Sequence, residues 1–168
     1  AYVCSEGNLS DAYFVMYAGN RTGSWVLEDT GLVGEREYGL EIVPLSSKPH
    51  VYLATDDGVW EAHKEDNVWT QERIIDTEML LEDVVVDDAQ HPHLGLILFD
   101  SSRSALHATD ASGAWTSEQI DDGEVQQLSL ALDPSGGLHA VYWADGLYYA
   151  HRVDDSWNSK ILRDEHQY

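Results

Sequence analysis

Cysteine, lysine and long apolar runs are what this 168-residue chain has least of. Cys4 stands alone, so no internal disulfide framework exists, and burial is the usual fate of a single thiol. No stretch of apolar residues reaches the length needed to cross a bilayer as a helix, and membrane insertion is not expected. Basic charge is scarce: nine Lys and Arg face 31 Asp and Glu, for a net charge of −22. Such a chain repels phosphate backbones and anionic lipid, which speaks against nucleic-acid and membrane-surface partners. The start, Ala1-Tyr-Val-Cys4, has neither a basic nor an apolar leader region. An extracellular or cell-surface protein with its signal removed is the expectation. Gly-x-Ser-x-Gly, phosphate-binding Gly loops and a Cys–His nucleophile pair are all missing. The six arginines (21, 36, 73, 103, 152 and 163) are scattered. No catalytic set emerges, and the balance is against an enzyme.

What is present is a core and a repeat. Hydrophobic residues make up 43% of the chain, enough for one folded domain in spite of the acidity. Trp25, Trp69, Trp115 and Trp157 are separated by 44, 46 and 42 residues, and each lies seven residues after an alanine: Ala18, Ala62, Ala108 and Ala150. Three of the four continue as Trp-x-x-Glu (Glu28, Glu72, Glu118), while the fourth has Lys160. Upstream, His50, His93 and His139 each follow a turn-like stretch, and apolar segments such as Leu128–Leu132 precede those turns.

A unit is therefore four short segments, rich in Val, Ile, Leu, Tyr and Trp and bounded by Gly, Asp, Ser or Pro. These are strand signals, and no sustained helical stripe with caps competes with them. Connections of two to six residues permit only antiparallel pairing. A four-stranded unit with this period fits a propeller blade, since β-helical rungs are much shorter. The expectation is an all-β chain: a β-propeller of about four four-stranded antiparallel blades, near 1–30, 38–76, 80–121 and 125–163. Residues 1–168 then form a single, partial ring whose first blade lacks its inner strand. Each repeated Trp reads as an apolar wedge between blades.

The pattern is clearest in Trp115-Thr-Ser-Glu118-Gln-Ile120-Asp121, Ser129-Leu-Ala-Leu-Asp133, Gly137-Leu-His139-Ala-Val-Tyr142 and Leu147-Tyr-Tyr149-Ala150. It resembles divergent propeller repeats of bacterial secreted and surface proteins, loosely related to the BNR/sialidase-like propellers. The Asp-box Ser-x-Asp-x-Gly-x-Thr-Trp is not among its motifs; Asp110-Ala-Ser-Gly113-Ala-Trp115 is the nearest approach. The resemblance implies a fold and hardly any activity, because propellers host many functions.

Ligands of propellers usually meet the rim formed by the second-to-third strand turns and the blade-to-blade loops. On that rim the candidate binding residues are Arg36, Asp56, Asp57, Trp60, Arg103, Trp143 and Asp145. Acidic pairs in turns suit a hard cation, so Asp87, Asp88, Asp121 and Asp122 are candidate calcium ligands, although none lies in an Asp-x-Asp-x-Asp-Gly loop and no cofactor is firmly implied. The repeat-equivalent histidines sit a whole blade apart, so hydrogen bonds to nearby turns are expected of them in place of zinc. Asn8 and Asn20 open glycosylation sequons, meaningful only in a eukaryotic secretory protein.

Three functions fit these features. The favoured one is a non-catalytic, secreted or cell-surface binding and assembly module whose partners are proteins or glycans. The second is a structural subunit that self-assembles through its open edge, a second copy or another chain completing the ring. The third is a calcium-dependent lectin or glycosidase-like propeller.

Overall fold

The computed structural model describes residues 2–7, 13–20 and 23–164, with side chains over 13–20 and 23–164. Every regular element among them is a strand. The chain divides into two compact units, Ala1–Met79 and Leu80–Tyr168. Asn8 lies outside the described residues, as does the side chain of Cys4, while Asn20 is exposed.

The first unit holds two antiparallel sheets. One is β1 (Tyr2–Gly7), β2 (Tyr13–Gly19) and β3 (Val26–Gly34); the other is β4 (Leu40–Leu45), β5 (Lys48–Thr55), β6 (Gly58–Glu65) and β7 (Val68–Ile75). The second unit repeats the four-stranded plan twice. Its sheets are β8 (Met79–Val86), β9 (Pro92–Leu98), β10 (Ala105–Thr109) and β11 (Thr116–Asp121), then β12 (Gln127–Leu132), β13 (Leu138–Trp143), β14 (Gly146–Val153) and β15 (Ser156–Asp164). In every sheet, strands adjacent in sequence are adjacent in space, as short connections require.

Local chemistry explains the hairpins. Ser46-Ser47, Asp66-Asn67 and Asp154-Asp155 all have positive φ and form two-residue turns of the twist that suits paired strands. Asp and Asn tolerate that conformation better than most side chains. A bulge recurs at the equivalent place in three sheets, between Val59 and Trp60, Ala105 and Leu106, and Leu147 and Tyr148. Each adds a residue to the outer strand and re-aims the side chain beside it.

Within each unit the sheets pack face to face on alternating apolar residues. Val15 and Leu32 meet Val51, Leu53 and Ala62 in the first unit, with Trp60 and Trp69 against them. In the second, Ile97, Ala105 and Ile120 meet Leu128, Leu130, Ala140 and Tyr142. Of the four constant alanines of the repeat, Ala62, Ala108 and Ala150 are fully buried, where a larger side chain would overpack the face, while Ala18 is only half-buried.

Two junctions between sheets use the same three-part tie. The Trp69 ring lies 5.3 Å from Tyr17, its Nε1 donates to Glu28 Oε2 at 2.9 Å, and Lys64 pairs with that same carboxylate. In the second unit the Trp157 ring lies 5.8 Å from His107, its Nε1 donates to Glu118 Oε1 at 3.0 Å, and Arg152 pairs with Glu118. Trp69 and Trp157 are thus the wedges the repeat suggested. Trp25 differs: it is 62% exposed, with no such cover from the described residues.

Candidate functional site

The second unit carries an open cavity of about 560 Å³ where the β11–β12 loop meets the β13–β14 turn. Asp121, Glu124 and Gln126 line it from the loop, and Asp145 and Tyr148 from the turn and β14. A second hollow of about 390 Å³ on the same unit is lined by Glu82, Gln127, Ser129, Tyr142, Trp143 and Leu147. The two share one framework. Val125 and Arg103 exchange hydrogen bonds: the Val125 amide donates to the Arg103 carbonyl and Arg103 Nε donates to the Val125 carbonyl, each at 3.1 Å. The Gln126 amide in turn donates to the Trp143 carbonyl at 2.8 Å, fixing the loop to the end of β13.

Two phenols organise the acids. Tyr142 donates to Asp121 Oδ2 at 2.5 Å, and Tyr148 donates to Asp145 Oδ1 at 2.7 Å. Their rings stack at 5.2 Å with only 5° between planes. Burial, helped by Asp121, pushes the Tyr142 hydroxyl well above its ordinary pKa, and the bond to Asp145 raises that of Tyr148. Both phenols therefore stay protonated donors, and the second Asp121 oxygen, Oδ1, accepts from the Gly123 amide at 2.7 Å. Glu82, beside Trp143, has its pKa raised by burial. The carboxylates, Gln126 and Tyr148 of the larger cavity, and Glu82, Gln127 and Trp143 of the separate hollow, are side chains of the kind that bind polyhydroxylated ligands.

The candidate rim residues fall into two groups. Arg103, Trp143 and Asp145 belong to the surface just described, Arg103 as the strut that holds the loop. Arg36, Asp56, Asp57 and Trp60 gather on the first unit, where the β3–β4 loop is pinned to β5 by hydrogen bonds between Tyr38 or Gly39 and Ala54. There Asp57 is occupied internally, accepting from Thr55 Oγ1 at 2.5 Å and Trp60 Nε1 at 2.9 Å. Those bonds lower its pKa. Trp60 and Asp57 are the repeat equivalents of Tyr148 and Asp145, so one ring-to-turn bond is made in both units. Sequence reasoning passed over Tyr148, Tyr142 and Glu82; aligning the two hairpins on Gly58 and Gly146 finds the first of them.

The four candidate calcium ligands do not converge. Asp87 and Asp88 follow β8, and Asp121 and Asp122 end β11, at opposite ends of one antiparallel sheet. Asp87 already accepts from the His91 amide at 2.7 Å and contacts the His91 ring at 3.1 Å. The three-ligand cluster that does form among the described residues is His50, Glu61 and His63, one atom of each within 4.8 Å of the others. Comparing equivalent histidines between blades missed it, because these two belong to neighbouring strands of one sheet.

No protein-family model and no curated protein sequence matches the chain. Among solved structures it is similar to a fucose lectin from Kordia zhangzhouensis in complex with methyl-fucoside, with TM-score 0.51 and 12% identity over 75% of this chain and 100% of the lectin. It is also similar to a bifunctional GH43-CE protein of Bacteroides eggerthii, with TM-score 0.54 and 11% identity over 96% of this chain. The chain spans 26% of that second protein's length. At these identities the likeness is one of fold alone, an all-β chain of antiparallel sheets.

Proposed function

We propose that this chain is a non-catalytic glycan-binding module on a β-propeller of about four blades, acting outside the cell or on its surface. The observation that carries the reading is the open cavity lined by Asp121, Gln126, Asp145 and Tyr148, with a second hollow on the same unit lined by Gln127 and Trp143. Carboxylates there accept sugar hydroxyls, Gln126 and Gln127 donate, and the aromatic faces take the apolar side of a pyranose. The fold neighbour solved with methyl-fucoside supports a sugar ligand and puts fucosylated glycans first in the search.

Glycan-array screening followed by calorimetry tests the proposal. Asp145→Ala and Trp143→Ala should each weaken the best ligand at least about tenfold, a loss of roughly 1.4 kcal/mol. Binding unchanged in both variants would overturn it. EDTA distinguishes the calcium-dependent version, in which binding disappears on chelation and returns with Ca²⁺.

A second reading, assembly with another copy, is favoured by one feature. Trp25, Val26 and Leu27 are 62%, 49% and 66% exposed in succession. Runs of this kind are uncommon on free surfaces. Light scattering across a concentration series checks it: a mass fixed at 18.8 kDa at every concentration would remove this reading and leave the glycan site untouched.

A further inference from the structure

We infer that His50, Glu61 and His63, on one face of the β4–β7 sheet, form a binding site for a zinc-class divalent cation. The register brings them together. His50 is the cross-strand partner of His63, and Tyr52 that of Glu61. Side chains two apart on a strand share a face, so all four point the same way from two hydrogen-bonded strands. A rigid ladder, and no loop, sets the spacing.

The hydrogen bonds assign each nitrogen a role. Thr70 Oγ1 donates to the His63 carbonyl at 3.3 Å, so at 3.1 Å from His63 Nε2 it is the acceptor of that ring's N–H. The other nitrogen, His63 Nδ1, then carries a bare lone pair, and it is buried with no hydrogen-bond partner among the described residues. A buried, unpartnered acceptor calls for an explanation. Opposite it, His50 Nδ1 lies 2.6 Å from Glu61 Oε1, and Tyr52 donates to that same oxygen at 3.1 Å. Thr70 behind one imidazole and Tyr52 behind the carboxylate are supports of the kind that orient metal ligands.

Two imidazoles and a carboxylate are a zinc-type donor set, with a fourth position for water. The His50 and His63 rings stack at 5.1 Å and 15°. Parallel rings cannot both aim in-plane lone pairs at one ion, so binding turns at least one ring out of the stack. The ion also takes the place of the proton on His50 Nδ1, which leaves to solvent.

The other sheets serve as internal controls. At the equivalent places β9 and β10 carry His93, His107 and Thr109, and the nearby Glu118 is held by Arg152. On β13 and β14 the positions are His139, Tyr149 and His151; His151 Nδ1 is buried and unpartnered there too, so it is the carboxylate, replaced by Tyr149, that sets the β5–β6 cluster apart. Among the described residues only the β5–β6 pair unites all three donors.

The experiment titrates chelator-stripped protein with Co²⁺ and Zn²⁺. One equivalent of Co²⁺ should give the visible absorption of a four-coordinate site, displaced by Zn²⁺. Glu61→Gln and His63→Ala should each weaken binding by about tenfold or more, while His151→Ala leaves it unchanged. In the wild-type chain, Zn²⁺ should protect His50 and His63 from diethyl pyrocarbonate, read by peptide mass spectrometry, so the result does not depend on a variant folding. Absence of a stoichiometric Co²⁺ spectrum, equal affinity in Glu61→Gln, or undiminished modification of both histidines would overturn the assignment and leave the cluster a hydrogen-bonded relay.

Discussion

Glu118 accepts from three side chains on different strands: His107 Nδ1 at 2.9 Å, Arg152 Nε at 2.5 Å and Trp157 Nε1 at 3.0 Å. His107 Nε2 faces His93 Nδ1 at 2.9 Å, so the relay needs a lone pair on at least one of the two imidazoles, and a neutral His107 supplies it. Burial enforces this, lowering the His107 pKa to about 4 and moving that of His93 in the same direction. An unfolded chain takes up the His107 proton near pH 6.5, whereas the folded chain resists it until about 4. Stability from this group is whole above the higher value and is lost as pH falls through the window, by up to about 3 kcal/mol. Urea unfolding at about pH 7.5 and about pH 5 should show roughly 2 kcal/mol of that loss, and His107→Gln should flatten it; equal midpoints in the wild type would contradict the account. Trp157→Phe keeps the wedge but drops its hydrogen bond, and should cost about 1 kcal/mol in the same assay. The Trp-x-x-Glu repeat was legible in the sequence. Its meaning was not, because Glu28 and Glu118 each answer a Trp from the next sheet, 41 and 39 residues on.

At the level of strands, alternation and turn chemistry carried most of the information. Leu128, Leu130 and Leu132 alternate in the sequence, and the first two are buried while Leu132 is half-buried. The acidic pair Asp154-Asp155 reads as a turn and forms one. The repeated bulge was hidden, since no Gly or Pro marks the extra residues Ile74 and Leu162 on the outer strands and the irregularity arises only when strands pair. Gly58 is the hairpin position with least freedom. Its φ is +133°, and a Cβ there would sit 2.1 Å from the Ile75 carbonyl oxygen. Gly58→Ala should therefore destabilise by more than about 2 kcal/mol, with strain and clash adding. Thermal unfolding checks this, with Gly113→Ala, where a Cβ meets nothing within 4 Å despite a φ of +85°, as the milder comparison. The binding surface was half visible from its elements. Turn signals named Asp145 and Trp143, but the bond joining Tyr142 to Asp121 spans 21 residues and depends on two sheets meeting.

Across the whole chain the dominant long-range force is self-repulsion, from a net charge of −22. Added salt screens it, so raising NaCl from about 20 mM to about 0.5 M should increase Tm by roughly 3–8 °C. A Tm that falls over this range would mean that the ion pairs at Glu28 and Glu118 outweigh the repulsion. Composition announced the charge and the period announced the sheets, whereas the contacts that tie them together required coordinates. Those ties have a bearing on how such chains vary. Trp, Glu and a cation recur as one clasp in both units, and each clasp engages only adjoining sheets. A sheet can then be gained or lost as a cassette, with the local fit preserved and only the end surfaces renewed.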